Sequence, residues 1–134
     1  MKCLSVEFVT PDVSLEIKNV LSITSYTVDG EFMVLPGHEN FIMELCSGIV
    51  KLTLDTKEIK VFYVLNPILK VTLYECKIIA NQLINAYDVN IGMLKAYKEG
   101  IEKILHNIND KMLLEIAEKQ LNFINNIKMH ENIS

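Results

Sequence analysis

Residues 30–38 read G-E-F-M-V-L-P-G-H. Phe32 and Val34 alternate with polar or longer neighbours, as a half-buried strand does. The run then stops at Pro36-Gly37, a pair that fixes one backbone angle and frees the next, so the chain turns there. A lone histidine, His38, follows the turn. Working outward, the same period-two pattern holds on both sides. Leu4, Val6 and Phe8 alternate with Ser5 and Glu7. Val20, Leu21, Ile23, Tyr26 and Val28 form a second extended run. Phe41, Ile42, Met43 and Leu45 precede a break at Ser47-Gly48. Ile49, Leu52 and Leu54 lead to a turn at Asp55-Thr56-Lys57. The runs 59–65 and 68–73 flank Asn66-Pro67, and Cys76 to Ala80 close the region. Short apolar runs separated by turn residues every ~8–12 positions indicate a β-sandwich or barrel.

After residue 87 the period changes. Asp88 stands as an N-cap before a helical stripe of Ile91, Leu94, Tyr97, Ile101, Ile104, Leu105 and Ile108. Asn107-Ile108-Asn109-Asp110 reads as a break. Asn109 or Asp110 can cap a second helix, with Met112, Leu113, Ile116, Gln120, Leu121, Phe123, Ile124 and Ile127 on one side. Glu115 and Lys119 form an i,i+4 pair on the polar face. A short link between two amphipathic helices makes an antiparallel hairpin. Gly92 and Gly100 each cost the first helix about 1 kcal/mol relative to alanine. The expected fold is therefore α+β: an antiparallel β-sandwich of about ten short strands over residues 1–84, then an antiparallel helical hairpin over 88–134.

Composition narrows the function. Of the 134 residues, half are hydrophobic and 22% are charged, which is a folding chain and not a disordered one. The net charge of -4 argues against non-specific nucleic-acid binding, which requires a positive surface. All 13 basic residues are lysine, so no site can use a bidentate guanidinium fork. Cys3, Cys46 and Cys76 are odd in number and widely spaced, the pattern of reduced thiols in a cytosolic setting. No apolar stretch reaches the ~18 residues of a membrane span. The start, M-K-C-L-S-V-E-F, lacks the long apolar centre of a signal peptide. A membrane link would run through a partner.

Chemistry is sparse. His38, His106 and His130 have no second ligand at metal spacing, so no metal or cofactor is expected. His106 suits a helix C-terminus as a favourable charge. Ser47 lies in C-S-G-I, not in a nucleophile elbow. The glycines form no phosphate cradle. Glu31, Glu39 and Glu44 flank the Pro36-Gly37 turn, where they read as solvated, whereas a catalytic pair would need burial. The remaining class is an interaction protein. An enzyme using His38 with Glu31 or Glu39 as acid and base stays an alternative.

The order of these features resembles the epsilon subunit of F-type ATP synthases, whose mitochondrial counterpart is called delta. The resemblance rests on the opening strand with V-T-P at 9–11 and on G-E-F-M-V-L-P-G-H at 30–38, like that family's G-E-x-G-x-L-P-G-H. It continues through E-L-C-S-G-I-V at 44–50 and I-I-A-N at 78–81, and a helical hairpin follows. The motif-level match covers residues 4–54, and the architecture covers the chain. The resemblance implies a sandwich of two five-stranded sheets. It also implies a rotor role: binding the gamma subunit, resting one end on the c-ring, and coupling proton flow to the alpha/beta head. Glu31, Leu35, Pro36, Gly37 and His38 are then c-ring contacts and not catalysts. The hairpin of bacterial relatives can block ATP hydrolysis, and Lys111, Lys119 and Lys128 are the candidate inhibitory contacts. The place implied is the cytoplasmic face of the bacterial inner membrane, held there by partners. A stand-alone β-sandwich binding module with a regulatory helical tail is the alternative.

Departures from the family pattern carry their own expectations. Met33 stands where glycine is usual. Asn66-Pro67-Ile68 replaces a Gly-Gly-Phe-like turn. Some relatives bind ATP through I/L-D-x-x-R-A, and the aligned stretch here is V-N-I-G-M-L at 89–94. Asn90 replaces the acid and Met93 the arginine, so no nucleotide site is expected.

Overall fold

The computed structural model describes residues 2–89, 91–107 and 109–131, without the side chains of 91, 126 and 128–131. The chain forms two units, Met1–Tyr87 and Asp88–Ser134.

The first unit holds nine strands: β1 (Leu4–Val9), β2 (Ser14–Thr27), β3 (Gly30–Val34), β4 (Phe41–Glu44), β5 (Gly48–Leu54), β6 (Ile59–Leu65), β7 (Ile68–Val71), β8 (Glu75–Ile79) and β9 (Gln82–Asn85). In β1 the alternation is strict, with Leu4, Val6 and Phe8 buried and the residues between them half-exposed. The strands pair in the order β4-β7-β8-β1-β2-β5-β6-β9, with β3 also on β2. The 14-residue β2 is what makes this path two layers. Its first half pairs with β1 and its second half with β5 and β3. Between the halves Asn19 takes φ 63, and the register slips both opposite β1 and opposite β5. Asparagine tolerates this left-handed backbone better than most residues, and a bulge bends the strand. Counted once in each layer, β2 completes β4-β7-β8-β1-β2 and β3-β2-β5-β6-β9. The two five-stranded sheets are thus one continuous ladder folded over.

The core lies between the layers. Phe8 of the first meets Phe62 of the second at 4.7 Å between ring centroids, tilted by 42°. Val6, Val20, Ile23, Val34, Val50, Leu52, Val64, Leu69 and Ile78 are fully buried around them. Each such side chain contributes about 1.5–3 kcal/mol relative to exposure. Ser25 is a buried polar residue of this unit, and its hydroxyl donates to the Ile49 carbonyl at 3.1 Å, which offsets its desolvation.

The sandwich departs from a wholly antiparallel one at a single pairing among the described strands: β1 and β8 run parallel. Parallel neighbours need a long crossover, and the chain from β2 to β7 supplies it. The register keeps Val6 beside Cys76 and Phe8 beside Ile78, so inward residues still meet inward residues. Two strand segments were not anticipated from the sequence. Residues 14–19 of β2 alternate only between exposed and half-exposed, because this stretch is an edge. Strand β9 has four residues, and its pairing with β6 makes it a strand.

In the second unit α1 spans Ile91–Asn107 and α2 spans Lys111–Glu131. The two helices pack on each other. Asp88 does not cap α1. It closes a 3-10 turn at Ala86–Asp88, and α1 starts three residues later. That turn forms because Asn85 Oδ1 accepts from the Tyr87 amide at 3.0 Å. Asp110 does cap α2, its Oδ1 accepting from the amides of Met112 (2.8 Å) and Leu113 (3.3 Å). His106 lies in the last turn of α1, where a positive charge is favourable.

Candidate interaction surface

The Leu35–His38 segment connects the edge strand β3 of one layer to the edge strand β4 of the other. Gly37 has φ +84, a backbone that side chains rarely adopt. With that angle its amide points across to the β7–β8 turn and donates to the Leu73 carbonyl at 2.8 Å. The β7–β8 turn is itself closed by Thr72, whose amide and hydroxyl both donate to the Glu75 carbonyl at 2.8 and 3.2 Å. The two turns are laced into one end of the sandwich. That end presents Leu35 and Leu73, 53% and 52% exposed.

His38 is exposed at the loop's exit. Its Nδ1 lies 3.1 Å from the Glu39 carbonyl oxygen, to which it can only donate, and its ring edge rests on Phe41 at 4.9 Å. The imidazole therefore engages a backbone carbonyl and an apolar ring. Glu31 is also exposed but sits up β3, opposite Tyr26. Four residues of strand place it about 13 Å from Leu35. Glu31 and the loop share one edge of the sandwich without converging, so they do not build an acid–base pair. Among the described residues no group of three or more His, Cys, Asp or Glu could hold a metal ion.

Two departures from the family pattern, one in β3 and one at the far end of β7, have simple local consequences. Met33 occupies regular strand opposite Thr24 and is exposed, so a side chain costs nothing there. Asn66 takes φ 51 and supplies the left-handed turn that glycine would otherwise provide. Its amide is held by the Ser47 hydroxyl at 2.8 Å, and the Leu45 amide donates to the Pro67 carbonyl at 3.0 Å.

A second exposed surface was not foreseen. The outward side of the first layer carries Ile42, Ile68 and Ile79, 68%, 40% and 45% exposed. The available signal was Ile78-Ile79 and Ile68-Leu69, where consecutive apolar residues place one on each face of a strand. On α2, Lys111 and Lys119 are exposed; the side chain of Lys128 lies outside the described residues. Of the altered nucleotide motif, Met93 is half-buried on α1, and Asn90 lies outside the described residues.

Residues 3–86 match the family described as ATP synthase, Delta/Epsilon chain, beta-sandwich domain. The ATP synthase epsilon chain of Wolbachia pipientis wMel is 26% identical over 114 residues, 84% of this chain and 99% of that protein. The ATP synthase epsilon chain 2 of Ralstonia nicotianae is 24% identical over 121 residues, 90% of this chain and 87% of that one. Among solved structures, a chain of the Euglena gracilis mitochondrial ATP synthase OSCP/F1/c-ring assembly superposes with a TM-score of 0.71 at 17% identity, covering 97% of this chain and 82% of its own. A chain of the Tetrahymena thermophila mitochondrial ATP synthase central stalk/c-ring structure gives 0.66 at 14% identity, covering 98% and 99%.

Proposed function

This chain belongs to the ATP synthase delta/epsilon family, and from that premise we propose how it works as the non-catalytic epsilon-type subunit of a rotary ATP synthase stalk. The sandwich binds the gamma subunit. Its laced end, with Leu35, Pro36, Gly37 and His38, rests on the c-ring, and Glu31 extends that contact along the edge of β3. Rotation driven by protons through the ring thereby reaches gamma and the catalytic alpha/beta head. The observation that carries this reading is the Gly37–Leu73 hydrogen bond, which fixes two exposed leucines at one end of a rigid sandwich. A contact that must transmit torque needs this kind of pre-ordered apolar tip.

No helix among the described residues is long and apolar enough to cross a membrane. Membrane attachment then runs through partners, at the cytoplasmic face of the bacterial inner membrane. The helical unit restrains ATP hydrolysis, with Lys111, Lys119 and Lys128 meeting acidic groups of the head. It uses no cofactor and binds no nucleotide, because a lysine-only chain lacks the guanidinium that the family's nucleotide motif employs.

A tagged copy recovered from gently solubilised membranes of its own host should bring down gamma, alpha, beta and c-ring subunits. Recovery of the chain alone, or with unrelated soluble proteins, replaces this reading with the stand-alone binding module. Within the assembled enzyme, deleting residues after 87 should raise ATP hydrolysis; an unchanged rate removes the inhibitory role. Titration of the chain with ATP should leave its amide chemical shifts unmoved at millimolar concentration.

A further inference from the structure

Strand β3 ends the second layer, and among the described strands β2 is its single neighbour. Val28 and Asp29 form a two-residue turn between β2 and β3, closed by the pair Thr27–Gly30. The closing pair of such a hairpin exchanges both backbone hydrogen bonds, and bonded pairs then alternate along the ladder. Gly30, Phe32 and Val34 therefore direct their amides and carbonyls to β2. Glu31 and Met33 direct theirs the other way, off the open edge. The strand is short and carries one charge, Glu31, and both features keep an edge from recruiting strands at random. Neither feature excludes one particular register.

We propose that the chain pairs with a second copy of itself through this edge, β3 antiparallel to β3 about a two-fold axis at Phe32. That axis sets Gly30 opposite Val34 of the second copy, Glu31 opposite Met33, and Phe32 opposite Phe32. All five residues of β3 then pair. Glu31 and Met33, whose amides and carbonyls face outward, form the two bonded pairs, each with two backbone hydrogen bonds. The two glutamates stand diagonally, ~7–8 Å apart, and not face to face. Other registers fail. An axis at Glu31 sets the carboxylates directly opposite each other, which destabilises a sheet. An axis at Met33 brings in Leu35, where the chain has already left the strand. An axis between residues sets an outward amide against an inward one. Phe32, half-buried at the rim of the core, gains the ring of its twin on the inward side.

The self-matching register is what names a second copy as the occupant, because a two-fold contact needs one patch that complements itself. Area sets its strength. An edge about 17 Å long on a sheet ~10 Å thick covers roughly 200 Å², far below the ~800 Å² per partner of a stable complex. The dimer is therefore a weak one, with a dissociation constant on the order of 100 µM. It belongs to the unassembled chain. Under the function proposed above Glu31 lies in the c-ring contact, so a paired edge and a seated subunit exclude each other. That consequence rests on the proposed function, and the pairing itself does not.

The test is sedimentation equilibrium of the isolated full chain, from about 10 µM to about 1 mM. Met33 is exposed, so its substitution leaves the core alone, and the thermal transition of each variant checks this. Met33→Lys sets two ammonium groups opposite the two Glu31 carboxylates and should tighten the dimer several-fold. Met33→Glu sets like charges opposite and should weaken it about tenfold. Met112→Lys and Met112→Glu, at an exposed position of α2, carry the same charge changes and should do neither. Amide exchange locates the contact: Phe32 should be protected at every concentration, and Glu31 and Met33 only in the concentrated sample. A wild-type chain that stays monomeric to about 1 mM overturns the inference and leaves the edge to a strand of another protein. A dimer that both Met33 variants leave unchanged overturns it too, because the contact then lies elsewhere. Neither result bears on the proposed function, which recovery of the stalk subunits tests separately.

Discussion

The sandwich and the helical hairpin bury their apolar residues by different means. In Met1–Tyr87 the inward side chains of both layers, from Leu4 to Ala80, close into one continuous buried cluster. In the helical unit Leu94 and Ile101 on α1 and Ala117, Phe123, Ile124 and Ile127 on α2 are buried. Yet Tyr97, Ile104, Met112, Leu113 and Ile116 remain exposed. A sandwich buries the inward face of each sheet and leaves outward residues such as Ile42, Ile68 and Ile79 exposed. A pair of helices has no lateral ladder and leaves part of each stripe outside.

The sharpest way to break this contrast is to empty the centre of the sandwich. Phe62→Ala removes the ring that meets Phe8 and should cost about 3–5 kcal/mol in chemical denaturation. A cost below about 1 kcal/mol would mean that the layers are not jointly packed.

Cys76 tests the same closure by pH. Burial pushes its thiol from 9.0 up to about 11. The folded state therefore favours the neutral thiol. Its contribution to stability is complete below pH 9 and is lost as pH rises through about 11. The loss should reach up to about 2–3 kcal/mol, and it should disappear in Cys76→Ala when alkaline unfolding curves are compared. A thiol reagent at pH 8 should label the half-buried Cys3 and Cys46 well before Cys76.

In the hairpin, Asp110→Ala leaves two amides at the start of α2 without their acceptor. It should cost about 1 kcal/mol, read as faster amide exchange in the first turn of α2. In the sandwich, Lys57 holds φ 73 in the β5–β6 turn. Lys57→Gly should stabilise the protein by about 0.5–1 kcal/mol in denaturant titrations, because glycine reaches that angle without a Cβ clash. The smallest effect belongs to Ile116→Lys, at an exposed apolar position of α2. It should move the stability of the isolated chain by no more than about 0.5 kcal/mol. A larger loss would show that the hairpin's outer stripe is spent on folding after all.

Much of this protein follows from its sequence alone. The alternation of Leu4, Val6 and Phe8, the Pro36-Gly37 turn, the left-turning Asn66-Pro67 and the break before Asp110 are each set by side chains within a few residues of one another. Local sterics and local hydrogen bonds decide such features, so the sandwich-then-hairpin order and the turn at Pro36-Gly37 were legible. The loop residues could be named, but their anchorage could not, because Gly37 bonds to Leu73, 36 positions away. The start of α1 was misplaced because the Asn85 side chain captures the Tyr87 amide and holds Ala86–Asp88 in a 3-10 turn. Tertiary structure alone decided that β2 serves both layers and that β1 lies parallel to β8. Those facts are matters of register between residues up to 70 positions apart. Period-two alternation tells which face a side chain takes, and it carries no information about which distant residue stands beside it.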